Sequence, residues 1–150
     1  MAKQPIDPKT QALKLLARRE HSARELKRKL EARGIGEVEA AAAVEHATAE
    51  GWQNDGRYAE MLVRSRVAQG YGPVRIKAEL KVAGMAATEI QAALDGAGID
   101  WREQAAAAHA KKFGATPRTS AERAKQYRYL QGRGFDSSQI SAALKGEMDP

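Results

Sequence analysis

Hydrophobic positions along this 150-residue chain fall at helical spacing and recur with a fixed period. Leu30 is followed by Gly34-Ile35, Leu80 by Gly84-Met85 and Leu130 by Gly134-Phe135, each step being 50 residues. A second set keeps the register: Ala40, Ile90 and Ile140 align, as do Ala43-Val44, Ala93-Leu94 and Ala143-Leu144. Agreement at so many positions marks an internal repeat. Each anchor reads as the end of a helix, with a Leu on the buried stripe, a Gly able to take the left-handed position, and an apolar residue closing the corner.

Middle helices precede these corners, carrying Leu26/Leu30 and Ile76/Leu80 at i, i+4 and Tyr127/Leu130 at i, i+3. Their starts are marked by Ser22 with Glu25, by Gly72-Pro73 and by Thr119 with Glu122. Third helices follow, with Thr88/Gln91 and Asp136/Gln139 as expected capping pairs. First helices are expected over 8–19 with Leu13/Leu16 inward, over 55–68 with Tyr58/Leu62 inward and Asp55 as cap, and over 100–113. The expectation is an all-α chain of nine helices in three tandem three-helix repeats, elongated and curved. Residues 9–53, 54–99 and 100–146 form the repeats, between flexible ends at 1–8 and 147–150.

Composition sharpens this picture. Ala supplies 30 of the residues, so helices can approach closely but cannot fill one wide core, and thin repeated cores follow. There is no cysteine, hence no disulfide or thiolate site. No run approaches the roughly 18 apolar residues of a membrane span, and the first ten residues lack the apolar core of a leader; a cytoplasmic location is expected.

Charge is sorted by helix. Residues 9–33 hold nine Lys/Arg against three acids, whereas 34–55 hold five acids and no Lys/Arg. The alternation repeats over 56–84, with six against two, and 85–100, with three acids alone. It repeats again over 101–134, with eight against two, before a net −2 over 135–150. If the basic faces align they form a stripe for a polyanion, bound through counterion release. The candidate contacts are Arg24, Lys27 and Arg28 in the first repeat, and Arg64, Arg66, Arg75, Lys77 and Lys81 in the second. In the third they are Lys111, Lys112, Arg123, Lys125, Arg128 and Arg133.

Chemistry beyond charge is sparse. His21, His46 and His109 fall in different repeats with no metal-ligand spacing. Gly70-Tyr71-Gly72 reads as a turn rather than a phosphate loop, and no nucleophile motif occurs. Neither an enzyme nor a resident cofactor or metal is expected. Trp52 reads as a filler between repeats, while Tyr71 and Tyr129 stand open between packing and base stacking.

Three stretches carry a family resemblance. They are Arg18-Arg19-Glu20-His21-Ser22-Ala23-Arg24-Glu25-Leu26-Lys27-Arg28-Lys29-Leu30, Asn54-Asp55-Gly56-Arg57-Tyr58-Ala59-Glu60, and Gly72-Pro73-Val74-Arg75-Ile76-Lys77-Ala78-Glu79-Leu80. With the helical repeat, they make residues 10–146 resemble RecX, the bacterial regulator of the RecA recombinase. The third repeat matches through Tyr129-Leu130, Arg133-Gly134-Phe135, Ile140 and Leu144.

The resemblance implies a protein that lies in the groove of the RecA filament on single-stranded DNA and dampens ATP hydrolysis, strand exchange and co-protease action; a monomer is expected. Duplex DNA is a further candidate ligand. Two alternatives stand beside this reading: a direct DNA-binding protein with helix-turn-helix-like units, and a protein-interaction scaffold built as a helical solenoid, in which the basic stripe is incidental.

Overall fold

The computed structural model describes residues 7–145, which form nine helices and no strand. The first unit comprises α1 (Pro8–Arg18), α2 (Ala23–Ala32) and α3 (Glu37–Ala49). The second comprises α4 (Asp55–Ala68), α5 (Pro73–Val82) and α6 (Ala87–Gly96), and the third α7 (Trp101–Lys112), α8 (Ser120–Gly132) and α9 (Ser137–Lys145). The helix pairs that pack extensively lie within units. Each unit therefore keeps its own core, as the alanine-rich composition requires.

The repeat register fills the same places in each core. Leu30, Leu80 and Leu130 are fully buried, and Ile35, Met85 and Phe135 close the corners beneath them. Gly34, Gly84 and Gly134 hold φ of +91°, +94° and +96°. That left-handed turn aims the following amide back at the helix. Ile35, Met85 and Phe135 donate to the carbonyls of Leu30, Leu80 and Leu130 at 3.2, 3.1 and 3.2 Å, satisfying groups the helix end leaves open. Because Leu80 sits at the centre of the second core, Leu80→Ala is expected to cost about 2–5 kcal/mol. An unchanged urea midpoint would contradict that placement.

Several local expectations are corrected. In α1 the inward residues are Ala12 and Leu15, with Leu16 packed at the edge, while Leu13 is 43% exposed. Close approach to the alanine face of α3 selects Ala12. Asn54, not Asp55, caps α4, accepting from the Arg57 amide at 2.9 Å. Asp55 instead accepts from the Ala23 amide at 2.9 Å and from Gln53 Nε2 at 2.8 Å, tying the first unit to the second. Thr88 lies inside α6, whose cap position is Ala86. Only half of a box forms there, with the Ala86 amide donating to Glu89, and Gln91 turns to Asp95.

Ser22 and Thr119 cap as expected, and Asp136 with Gln139 forms the full reciprocal box. Glu25 does not reach back to Ser22; it pairs with Arg19. Asp7, placed in the flexible end by the sequence, caps α1, and Pro8 is its first residue, as the expected helix start at 8 requires. The rest of that end, 1–6, and the end at 147–150 lie outside the described residues.

The units meet through their middle helices, N-terminus to C-terminus. The Gly72 and Val74 amides at the start of α5 donate to the carbonyls of Arg133 and Gly134 at the end of α8, both at 2.8 Å. Open amides and open carbonyls thereby satisfy each other, with helix dipoles aligned. A side chain on Gly72 would place its Cβ 2.5 Å from the Gly134 oxygen, so the approach requires glycine there. At the other junction Arg24, near the start of α2, lies over Gly84 and donates to the Val82 carbonyl at 3.4 Å. The Arg57–Glu20 pair at 2.8 Å adds to this link and to the Ala23–Asp55 bond.

The second unit departs from the first. Helix α3 runs on to bury Ala47 completely, but α6 stops at Gly96, and its register equivalent, Ala97, is exposed. The missing turn leaves an apolar groove of about 760 Å³ beside Val63, Val67, Met85 and Ile99.

His21 is buried at the first junction, with Nδ1 2.9 Å from the Arg19 carbonyl and Nε2 3.2 Å from the Lys29 ammonium. A neutral ring that donates from Nδ1 and accepts at Nε2 satisfies both partners. Burial pushes this imidazole below its ordinary value of 6.5, outweighing the favourable Glu25 carboxylate. The unfolded chain thus takes up this proton at higher pH than the folded one. Stability is present above about pH 6.5 and is lost as pH falls through the lower folded value. Thermal melting at pH 7 and pH 5 should show a drop that His21→Gln reduces, and an identical drop in the variant would remove His21 as its source.

Candidate nucleic-acid interface

The basic helices bring a subset of the expected cations into one path. Arg24 and Arg28 stand one turn apart on α2 and share a cleft of about 360 Å³ with Arg75 of α5. Arg75 and Arg133 then sandwich the Tyr71 ring from opposite units, their guanidinium carbons 3.9 and 3.8 Å from its centre. Arg133 is fixed there by donating to the carbonyls of Gln69 and Gly70 at the end of α4. On its other side Arg133 lines a second cleft, of about 490 Å³, with Lys111, Lys112 and Tyr129. Lys112 stands 5.3 Å from the centre of the Tyr129 ring. The path from Arg28 through Arg24, Arg75 and Arg133 to Lys112 and Lys111 thus crosses all three units.

Other candidates lie elsewhere. Arg66 is held by Glu79, which grips its guanidinium through Nε and Nη2, both at 2.8 Å. Arg64 is exposed and lines the apolar groove with Glu60 and Glu89. Lys27 is half-buried and pairs with Glu37 at 3.5 Å. Lys125 faces a third cleft with Arg118 and Glu122. Lys77, Lys81, Arg123 and Arg128 are exposed, with no ion pair among the described residues, and are available to an anion without being organised by a neighbour.

Sequence reasoning missed the carboxylates beneath the path. Burial alone would raise the Glu25 carboxyl, but Arg19 at 2.7 Å and Lys29 at 3.9 Å hold it below the usual range. The Arg66 hydrogen bonds and the nearby Arg75 do the same for Glu79. Both are ionised at neutral pH. They fix arginines in place while leaving the local balance positive, with five arginines (Arg19, Arg24, Arg28, Arg66 and Arg75) against two acids. The signal was present in the Glu-x-x-x-Lys spacing of Glu25 and Lys29 and the Arg-x-x-x-Glu spacing of Arg75 and Glu79.

Tyr71 settles as a stacking element between two arginines, and Tyr129 packs edge-on against Phe113 at 5.4 Å. Trp52 lies against the first core, edge-on to His46 at 5.3 Å. His109 is buried and bonded to Gln126 at 2.7 Å. Among the described residues no cluster of His, Cys, Asp and Glu has metal-binding geometry, and no helix is long and apolar enough to cross a membrane.

Comparison with known proteins bears on this arrangement unit by unit. Residues 9–46 match the model of the first three-helix domain of RecX, residues 54–94 that of the second, and residues 100–144 that of the third. The chain belongs to the RecX family. Among curated relatives, regulatory protein RecX of Stenotrophomonas maltophilia (strain R551-3) is 46% identical, the alignment covering 95% of this chain and 88% of that protein. Regulatory protein RecX of Xanthomonas oryzae pv. oryzae (strain PXO99A) is 44% identical over the same shares. The crystal structure of RecX from Lactobacillus salivarius superposes with a TM-score of 0.74 at 21% identity, covering 92% of both chains, and so shares the fold. RecX relatives are named as regulators, and the three-unit helical architecture expected from the sequence is that of RecX structures.

Proposed function

We propose that this chain is a negative regulator of the RecA recombinase. It binds the RecA filament on single-stranded DNA as a cytoplasmic monomer and inhibits ATP hydrolysis, strand exchange and co-protease activity. Family membership supplies the target. The observation that carries the mode of action is the cationic path from Arg28 to Lys111, continuous across the three units. A row of cations on separate cores tracks a polyanion along its length and competes with an incoming strand for the filament groove.

The helix-turn-helix alternative is disfavoured by charge and by placement. In a three-helix unit the third helix enters the major groove. Here α3 carries Glu37, Glu39 and Glu45, and α6 carries Glu89 and Asp95, with no Lys or Arg on either. The N-terminus of α5 is also closed by its bonds to Arg133 and Gly134.

The test is ATP hydrolysis by RecA on single-stranded DNA while this chain is titrated in, at two salt concentrations. Inhibition that added salt relieves supports the reading. Undisturbed hydrolysis with salt-sensitive binding to bare DNA would replace it with direct DNA binding.

A further inference from the structure

The cleft between the first and second units contains more than a phosphate site needs. Its mouth carries Arg24, Arg28 and Arg75, all exposed. Recessed behind them are the Tyr58 ring and the carboxylates of Glu25 and Glu79. Phosphates alone would be met by the arginines and would leave the recess, with its ring and its carboxylate acceptors, empty. A nucleotide suits both layers: its phosphate is an anion, its base is flat and apolar in face, and the amino groups of cytosine, adenine and guanine donate hydrogen bonds to carboxylates.

We propose that this cleft is a base-binding subsite for single-stranded nucleic acid. The backbone phosphate of one unstacked nucleotide rests on Arg24, Arg28 and Arg75, its base lies against Tyr58, and its amino edge faces Glu25 and Glu79. The proposal rests on the DNA-tracking reading above and deepens it.

Size and rigidity fit the role. About 360 Å³ lies within the range of small-ligand sites. The walls are held from behind: Arg19 anchors Glu25 at 2.7 Å, Arg66 anchors Glu79 at 2.8 Å, and Arg24 is braced on Gly84. Both acids are kept ionised by those partners and so remain acceptors at neutral pH. Tyr58 is half-buried, its phenol pushed up by burial and by the Glu25 carboxylate, which keeps it a neutral donor. A duplex presents no free base and gains only the phosphate contacts. Thymine has no amino group and gains less than cytosine.

The experiment compares fluorescein-labelled 12-mers of deoxycytidine, of thymidine and of abasic residues, equal in phosphates, by anisotropy with the full chain. A fourth measurement uses Ala78→Leu, which places bulk in the cleft from an exposed position of α5 without changing charge. Roughly tenfold tighter binding of the cytidine strand than of the abasic one is expected, with thymidine between them. Ala78→Leu should bring cytidine binding down to the abasic level while circular dichroism remains that of a folded helical protein.

Equal affinity for cytidine and abasic strands, both weakened by salt, would overturn the subsite and leave the electrostatic reading standing. Cytidine preference that survives in Ala78→Leu would place base recognition elsewhere and equally overturn it. Absence of binding to every strand while RecA hydrolysis is still inhibited would remove the subsite and keep the regulator. Absence of both would remove both.

Discussion

Replacement of Gly134 by alanine is expected to destabilise the protein by about 2–5 kcal/mol, while the same replacement at Gly34 costs about 1–2 kcal/mol. The two glycines have almost the same conformation, with φ of +96° and +91°, so the penalty for giving an L side chain a left-handed backbone is shared. Their surroundings differ. A Cβ on Gly134 would fall 2.6 Å from the Arg75 Cβ and 2.8 Å from the Arg75 backbone nitrogen, whereas one on Gly34 meets nothing within 4 Å. The obstructing atoms at Gly134 belong to the start of α5 and cannot swing aside.

Gly84→Ala should fall between them, because the neighbour there is the Arg24 side chain, its Nε at 3.0 Å, which can move. Urea titrations of the three variants would report the order. Since the cores are separate, Gly134→Ala should also broaden the transition as the third unit loosens from the second. Three equal losses would show that the end-to-end junction of α5 and α8 contributes nothing to stability.

These junctions mark the boundary of what the sequence makes legible. The period of 50 residues, the glycine corners and the leucines before them follow from local pattern, because each unit satisfies its own hydrophobic stripe and its own helix ends. Helix bounds, the three cores and most caps are therefore readable. Where the chain met an ambiguous local pattern, reading was less accurate. Ala12-Leu13-Lys14-Leu15-Leu16 supports two overlapping stripes, and only the alanine face of α3, remote in sequence, selects the one through Ala12 and Leu15. Asn54-Asp55 offers two capping side chains in succession, and the Ala23 amide of the preceding unit takes the second.

The same distinction governs the site. That basic residues gather on the first two helices of each unit is visible in composition. Which of them act together is decided by contacts between units. Arg66 and Arg75 look alike along the chain, yet Glu79 closes the fork of one at 2.8 Å and meets the other only at Nε, at 3.3 Å, so that its guanidinium also lies over Tyr71. Arg133 reads as a helix-end cation, but it belongs to α4 and Tyr71 of the second unit as much as to its own helix. No local spacing announces a pairing 63 residues apart.

Reversal of Arg24 and Arg28 to glutamate should abolish most of the inhibitory effect on RecA hydrolysis while leaving the fold intact. Both side chains are exposed, and neither belongs to the ion-paired scaffold of Arg19, Glu25, Arg66 and Glu79. Arg24 does donate one long hydrogen bond, 3.4 Å, to the Val82 carbonyl, and its loss is small in an exposed setting. Against a polyanion, each lost phosphate contact lowers the salt slope of binding by about one, and reversal adds repulsion. Affinity for the filament should fall by roughly ten- to a hundredfold near physiological salt.

The companion variant Arg123→Glu with Arg128→Glu changes charge by the same amount on exposed residues of α8 that line neither cleft of the path. It should weaken binding far less if the path from Arg28 to Lys111 is what the polyanion follows. Equal losses in the two variants would mean that net charge, rather than the alignment of arginines across the junctions, drives association. A larger loss from the α8 variant would move the binding surface to the third unit. The comparison therefore tests the arrangement as well as the charge, which a single reversal at either place cannot do.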